Sequence, residues 1–462
     1  MWVRGNRGYT SPSNLHRYNY QPTVLCKGAS SKNVVVSMKA LVLTAGQGLR
    51  LRPLTSNRSK AMLMISGRPV LQYIIDSLKD NGIRDIVIVV GHGREQLIDH
   101  FQMGGDQGVR IRYVIQHEQK GVEHAILQAK DELEGEEEFL LVNGDVLVEC
   151  EMVERTLSNH SSGSSDITML VTLVSNPEQF GTVKMGKHGA VEKLVEKGGP
   201  DRYVSNYAVA GVSVLKADVI SLLEKHETME HTVEKLIENG RTVNAVVWEK
   251  EWAEFTWPWD ILNANRIVMD RELKGKGSFI AESAEIHKNV VLEGPVFIDE
   301  GSIIRPGATI RGPVYIGKNV YVGNNSLVRD YSSLCEGVHL GYAVEMRNSM
   351  VFDNVMVGRL TFVADSIIGR DSCIEAGAQM WNWRPGGKSI KLQFGDEEVE
   401  VPIKKLGAII GDDVVIGVNA SVMPGKRIGD ASTIAPGCVI DQDIPPNSDV
   451  TVKQQITIKR KK

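Results

Sequence analysis

The stretch Leu43-Thr44-Ala45-Gly46-Gln47-Gly48-Leu49-Arg50-Leu51-Arg52-Pro53-Leu54-Thr55, followed by Lys60, carries the residue types that hold a phosphate. Glycines let backbone N–H groups approach phosphate oxygens closely. Arg50 adds an always-charged, bidentate donor, and Lys60 a mobile point charge. The loop lacks the Gly-Lys-Ser/Thr of a Walker sequence and the third glycine of a dinucleotide fingerprint. A Gly-x-Gly alone reads equally well as a tight turn; the arginine and lysine close behind it favour an anion site. Charge distribution agrees. The 462 residues hold 53 Lys+Arg and 57 Asp+Glu, a formal net charge of −4. The first 75 residues contain 11 Lys and Arg and no acid, Asp76 being the first carboxylate. Such a skew suits an anionic partner near the N-terminus, while the balanced total argues against general nucleic-acid binding.

Elements that can position this loop follow from periodicity. KALVLT (39–44) is a short apolar run ending at Gly46, hence a buried strand. From Pro69 to Asn81, Leu71, Ile74, Ile75 and Leu78 recur at helical spacing, and Gly82 supplies the stop. DIVIVV (85–90) reads as a second strand, 94–101 as a second helix, and 110–115, 121–133 and 139–143 repeat the alternation. Such alternation predicts a Rossmann-like α/β domain with a mostly parallel sheet and ligand loops at the strands' C-terminal ends.

The grammar changes near residue 280. Every sixth residue is apolar from Ile280 through Ile286, Leu292, Ile298, Ile304, Ile310, Ile316, Val322, Val328, Leu334, Leu340 and Met346 to Phe352. With 42% hydrophobic residues overall, chance gives about 10⁻⁵ for one chosen frame. The frame is expected to resume at Met356, Phe362, Ile368, Ile374 and Met380, then from Ile410 to Ile440. A six-residue repeat marks a parallel β-helix. The expected organisation is a tail over 1–37 (disordered, or an upstream start), an α/β domain over 38–270, a left-handed β-helix over 278–445 with a looped-out insertion at 381–409, and a basic tail over 446–462. No apolar run reaches the ~18 residues of a membrane span. Five scattered cysteines without C-x-x-C spacing argue against a disulfide framework or structural zinc and fit a cytoplasmic protein.

At this point the motifs resemble a known family. Gly46-Gln47-Gly48-Leu49-Arg50-Leu51-Arg52-Pro53-Leu54-Thr55 and Lys60 resemble the G-x-G-[TS]-R-x-x-P-L-T and Pro-Lys signature of sugar-1-phosphate nucleotidylyltransferases. With the hexad domain behind, 38–445 resembles the GlmU-like, archaeal-type bifunctional nucleotidylyltransferase/acetyltransferases. The resemblance implies Mg²⁺-dependent transfer of a nucleotidyl group from UTP or dTTP to a sugar 1-phosphate (GlcNAc-1-phosphate or glucose-1-phosphate), with pyrophosphate released. It implies nucleotide binding by Ala45, Gly46, Gln47, Gly48, Gln116 and Gly121, charge neutralisation by Arg50, Lys60 and Lys197, and metal ligation by Asp145 and Glu254. Gly181, Glu196, Gly211, Glu230 and Thr232 fall at sugar-contact positions. Five departures stand out. Leu49 replaces a hydroxyl residue, Ser59 replaces the proline before Lys60 and should loosen that turn, and Val122 replaces threonine. Val209 replaces the asparagine of Asn-Ala-Gly, and Glu254 an aspartate.

In acetylating relatives a histidine in G-H-L-T-Y acts as general base. Here the segment reads Gly358-Arg359-Leu360-Thr361-Phe362, and arginine stays charged at pH 7. Arg329, Arg347, Arg359 and Asn382 outline an acetyltransferase-like pocket without its base, so acetyl-CoA is expected only if that second activity exists. The β-helix is expected to serve first as a structural domain forming a homotrimer or higher oligomer. Two alternatives remain: an enzyme that also acetylates glucosamine 1-phosphate, and a non-catalytic sugar-nucleotide-binding scaffold.

Overall fold

The computed structural model describes residues 38–460 except 164, 200, 275 and 396; the segment 1–37 lies outside the described residues. The N-terminal part contains, in chain order, β1 (Lys39–Leu43), α1 (Val70–Asp80), β2 (Asp85–Val90), α2 (Arg94–Phe101), β3 (Arg110–Ile115), α3 (Val122–Gln128), β4 (Glu138–Asn143), α4 (Cys150–Ser162), β5 (Ile167–Leu173), β6 (Thr182–Met185), β7 (Val191–Val195), β8 (Tyr207–Lys216), α5 (Val219–His226), α6 (Met229–Glu238), β9 (Val243–Trp248) and α7 (Pro258–Met269). The main sheet runs β9-β5-β8-β4-β1-β2-β3, with β6 and β7 attached beside β8. Strands β4, β1, β2 and β3 are parallel, as the alternation predicts. Strand β8 runs antiparallel to both β4 and β5, so the sheet is mixed beyond β4.

Strand alternation sorts the core. Ala40, Val42, Ile86, Ile88 and Val90 face Leu71, Ile74, Leu97 and Met152 on one side. Leu41, Val87, Val89 and Phe139 face Ala125, Ile126, Leu223 and Leu236 on the other. Both sheet faces are therefore covered by helices, which is why the strands read as continuous apolar runs. Helix α1 ends where expected, with Gly82 at φ 83°.

From Phe279 onward three stacked parallel sheets form the β-helix. Inward residues align coil on coil: Ile280 pairs with Ile298, Ile298 with Ile316 and Ile316 with Leu334. The glycines that follow many of these residues permit close coil stacking. A Cβ on Gly369 would lie 2.4 Å from the Gly411 backbone, and one on Gly417 2.6 Å from Pro436.

The expected frame is corrected in one coil. Leu334 pairs with Val351, Leu340 with Val357 and Met346 with Val363. The inward residues are thus Val351, Val357 and Val363, not Phe352, Met356 and Phe362. The corners before and after that coil, from Met346 to Val351 and from Val363 to Ile368, are each a residue shorter, and a single-residue slip turns each strand's side chains over. Met356 consequently points outward, 55% exposed, while Phe352 packs in the interface between domains. The helix also runs past residue 445: Asp449–Val450 pairs with Thr433–Ile434.

The segment 381–409 leaves the helix, forms a hairpin of Lys391–Phe394 with Glu397–Glu400, and rejoins at Ile409. It is an arm docked on the α/β domain. Ile390, Leu392, Val401 and Leu406 are buried with Leu51, Leu54, Trp257 and Trp259. Further contacts fix the domains together. Asn265 Nδ2 donates to Tyr331 O at 2.9 Å, and Tyr331 OH donates to Asp270 at 2.8 Å. Arg58, 2% exposed, pairs with Asp412 and lies over the Phe352 ring. No described helix is long and apolar enough to cross a membrane. Cys335, Cys373 and Cys438 are free thiols.

Candidate active site

The loop after β1 turns through Gly48, whose φ of 63° suits glycine and whose carbonyl accepts a 2.7 Å bond from Thr55 Oγ1. A Cβ there would meet Lys60 Cγ at 3.0 Å. Gly46 and Gln47 are exposed and Ala45 is buried. Arg50 sits on the 3-10 turn Leu49–Leu51 with its guanidinium over the Trp257 ring, 4.7 Å from the centroid. Lys60 opens a second 3-10 turn. Ser59 caps that turn by accepting from Ala61 N and donates to Thr44 O at 3.2 Å. The serine thus ties the Lys60 turn to the end of β1.

Two acids are brought to the same place. Asp145 follows β4, and the Asp145–Leu147 backbone pairs antiparallel with Ala253–Phe255, with Val146 opposite Glu254. Lys60 Nζ donates to Asp145 Oδ2 at 3.0 Å. Burial and the adjacent Asp145 charge push the Glu254 carboxyl up to about 7. A carboxylate held up by a like-charged neighbour gains most from a cation between them. Magnesium binds through one or two carboxylates and keeps waters or phosphate oxygens as its other ligands. The Asp145–Glu254 pair fits that requirement. No cluster of three or more potential metal ligands occurs among the described residues.

Lys197 follows β7. Its ammonium is held below the ordinary lysine value by desolvation and by the positive charges of Arg50 and Lys60, while Glu254 and Asp145 oppose the shift. Arg50, Lys60 and Lys197 therefore share one electrostatic centre with the two acids.

Gln116 is buried at the end of β3, with Nε2 3.2 Å from Gly121 O and 2.9 Å from His124 Nδ1. Glu196 and Glu230 lock together: Glu196 N donates to Glu230 Oε2 and Glu230 N to Glu196 Oε1, both at 3.0 Å. Arg202 also donates to Glu230, at 2.8 Å. Thr232 is fully buried and its hydroxyl donates to Thr228 O inside α6. Gly211 has φ 81°, and a Cβ there would meet Val146 at 2.8 Å. Gly181 is half-buried beside β6. Between β4, β5 and β8 lies a cavity of about 110 Å³ whose lining includes Val122, Asn143, Val209, Gly211 and Met229. Its Val122 and Val209 are the positions where polar residues were expected, so the cavity wall is apolar there.

The second pocket does not assemble within one chain. Asn382 and Arg347 meet Asp365, and Arg329 lies on the next coil paired with Asp330 and Glu345. Arg359 is exposed at the opposite end of the same sheet's strands, in the turn before Phe362–Ala364.

Sequence reasoning expected the insertion over 381–409 but missed its docking, as it missed Trp257 and Arg58. Trp257 carried a weak signal, since Trp257-Pro258 precedes a helix. Arm docking had none.

A Gly-x-Gly loop after an inner strand of a mixed sheet, grouped with two acids and three cations and with a hexad β-helix behind, is the arrangement of a two-domain nucleotidyltransferase. Comparison with known proteins agrees. Residues 39–270 match the Nucleotidyl transferase family, 310–422 the GMPPB C-terminal domain, and 407–442 the bacterial transferase hexapeptide (six repeats). The "Bifunctional protein GlmU" of Methanococcus maripaludis is 35% identical over 432 residues, covering 92% of this chain and all of that relative. The "Bifunctional sugar-1-phosphate nucleotidylyltransferase/acetyltransferase" of Sulfurisphaera tokodaii is 30% identical over 423 residues, covering 88% and 98%. The chain belongs to the Nucleotidyl transferase family, and within it is an enzyme of the sugar-1-phosphate type.

Proposed function

We propose that the protein joins a uridylyl or thymidylyl group to a sugar 1-phosphate and releases pyrophosphate. The observation that carries this reading is the convergence of Lys60 with Asp145 at 3.0 Å, beside Glu254 and behind the Gly46–Gly48 loop. The chemistry needs no protein nucleophile. The sugar phosphate oxygen attacks the α-phosphorus and pyrophosphate leaves, so the protein's work is positioning and charge neutralisation. Exposed N–H groups of the loop hold phosphate oxygens. Arg50 and Lys60 neutralise the triphosphate, and Lys197 holds the sugar phosphate. Asp145 and Glu254 would hold Mg²⁺, which when bound offsets the charge of the bridging phosphates. Gln116 offers one donor and one acceptor, matching the edge shared by uracil and thymine. Gly121, Gly181, Glu196, Gly211, Glu230 and Thr232 shape the nucleoside and sugar walls.

The β-helix is proposed as a structural domain of a cytoplasmic homotrimer or larger oligomer. Acetyl transfer is not proposed, because Arg359 supplies no base. The test is pyrophosphate release over a panel of nucleoside triphosphates and sugar 1-phosphates. Release with UTP or dTTP is expected; release with no pair would sink the reading.

A further inference from the structure

Arg50 is gripped by two domains. Trp257, on whose ring its guanidinium rests, stacks on Trp259 at 5.3 Å and meets Phe394 of the arm at 5.1 Å. On the arm itself, Glu397 Oε2 lies 3.9 Å from Arg50 Nη2. Apolar burial fixes the arm, with Leu392 and Val401 enclosed against Leu51 and Leu54 of the phosphate loop. Arg427 braces its tip. It stacks on Phe394 at 4.4 Å, donates to Gln393 O and pairs with Asp443. The arm's backbone is thus fixed by the β-helix, and Glu397 is presented to the phosphate loop from outside.

The two contacts to Arg50 differ in strength. The apolar seating is buried, whereas the Glu397 pair is long and open to water, 60% exposed at the glutamate. An exposed pair at that separation contributes little and is screened by salt. A triphosphate carries several charges and takes arginine bidentately, so it out-competes one exposed carboxylate for the same guanidinium. We infer that Glu397 is a positioning residue: it pairs with Arg50 beside Trp257 and competes with the incoming triphosphate, so the β-helix arm tunes the affinity of the nucleotidyl site. This inference rests on the proposal that Arg50 meets the phosphates.

Its test is UTP and dTTP binding to the full-length protein by calorimetry at low and high salt. Glu397→Gln should tighten binding by about two- to five-fold at low salt, and the gain should fade at high salt as screening removes the competition. The charge control Glu398→Gln, on the face of the hairpin that pairs with Lys391, should leave binding unchanged. In an Arg50→Ala background Glu397→Gln should have no effect, because the cycle isolates the pair. Equal tightening by Glu398→Gln, persistence of the gain without Arg50, or unchanged binding in Glu397→Gln would each overturn the inference. Loss of binding in Lys60→Ala with no effect of Glu397→Gln would leave the proposed function standing and the inference refuted. Failure of the wild-type protein to bind either triphosphate would remove both.

Discussion

Lys60 Nζ donates to Asp145 Oδ2 at 3.0 Å, joining the phosphate loop to the end of β4 across 85 residues. Burial opposes the charge on Lys60, but Asp145 and Glu254 outweigh it, and the ammonium is held above its ordinary value. The lysine is therefore a fixed cation at working pH. It stands in contact with Asp145.

Lys60→Ala should lower kcat/KM for pyrophosphate release by about 10²- to 10³-fold, the usual cost of deleting one charged donor at a transfer site. Lys60→Arg keeps the charge but changes its reach, and should recover only part of the loss. Wild-type rates in Lys60→Ala would refute the role.

Metal binding should depend on pH through Glu254. Below about 7 the residue holds a proton that a dication must displace. Mg²⁺ or Mn²⁺ affinity, measured by calorimetry, should rise from pH 6 to 7.5 and then level off. Glu254→Gln should bind more weakly and lose most of that slope. An unchanged slope in the variant would assign the proton elsewhere.

Arg58 and Asp412 tie the Lys60 segment to the β-helix, and the guanidinium is almost fully buried. Desolvation lowers the Arg58 pKa and Asp412 opposes that shift. Asp412→Ala leaves a buried charge unpaired and should cost about 3–5 kcal/mol, with lower transfer activity as the Lys60 turn loosens. The double replacement Arg58→Met with Asp412→Leu should restore much of the stability in thermal unfolding. A Tm equal to wild type in Asp412→Ala would show that the pair is dispensable.

Asp166, at the start of β5, opposes the usual effect of burial. Burial alone would raise its pKa, but bonds from Arg241, Lys216 and Thr242 N bring it to about 2. A carboxylate depressed in the folded state adds stability that is complete above its unfolded value near 4 and is lost as pH falls toward 2. Asp166→Asn should cost about 2 kcal/mol at pH 7 in urea unfolding. The gap to wild type should shrink by pH 2.5; a constant gap would contradict the assignment.

The alternation of strand and helix was legible as far as β4 because each element there is a local apolar period. The antiparallel insertion of β8 was not, since a fully buried strand reads alike in either direction. In the β-helix the hexads were legible, but the short corners were not. Phe352 and Met356 are as apolar as the true inward residues Val351 and Val357, so composition could not choose the phase. Among the candidate site residues, the loop glycines, Arg50 and Lys60 stand out by their spacing, and the fold groups Arg50 and Lys60 with Asp145 and Glu254. The contribution of Ser59 was not legible, because it lies in two hydrogen bonds that only the folded turn provides.

An α/β fold followed by a repeating solenoid, and a Gly-x-Gly turn after β1, were determined by the sequence alone, because each is written within a few dozen neighbouring residues. The tertiary structure decided which distant residues meet: Glu254 beside Asp145 through a two-strand bridge, and the 390–401 arm against Leu51 and Trp257. Those meetings depend on how preformed apolar faces pack, and packing joins positions whose separation leaves no periodic trace in the chain.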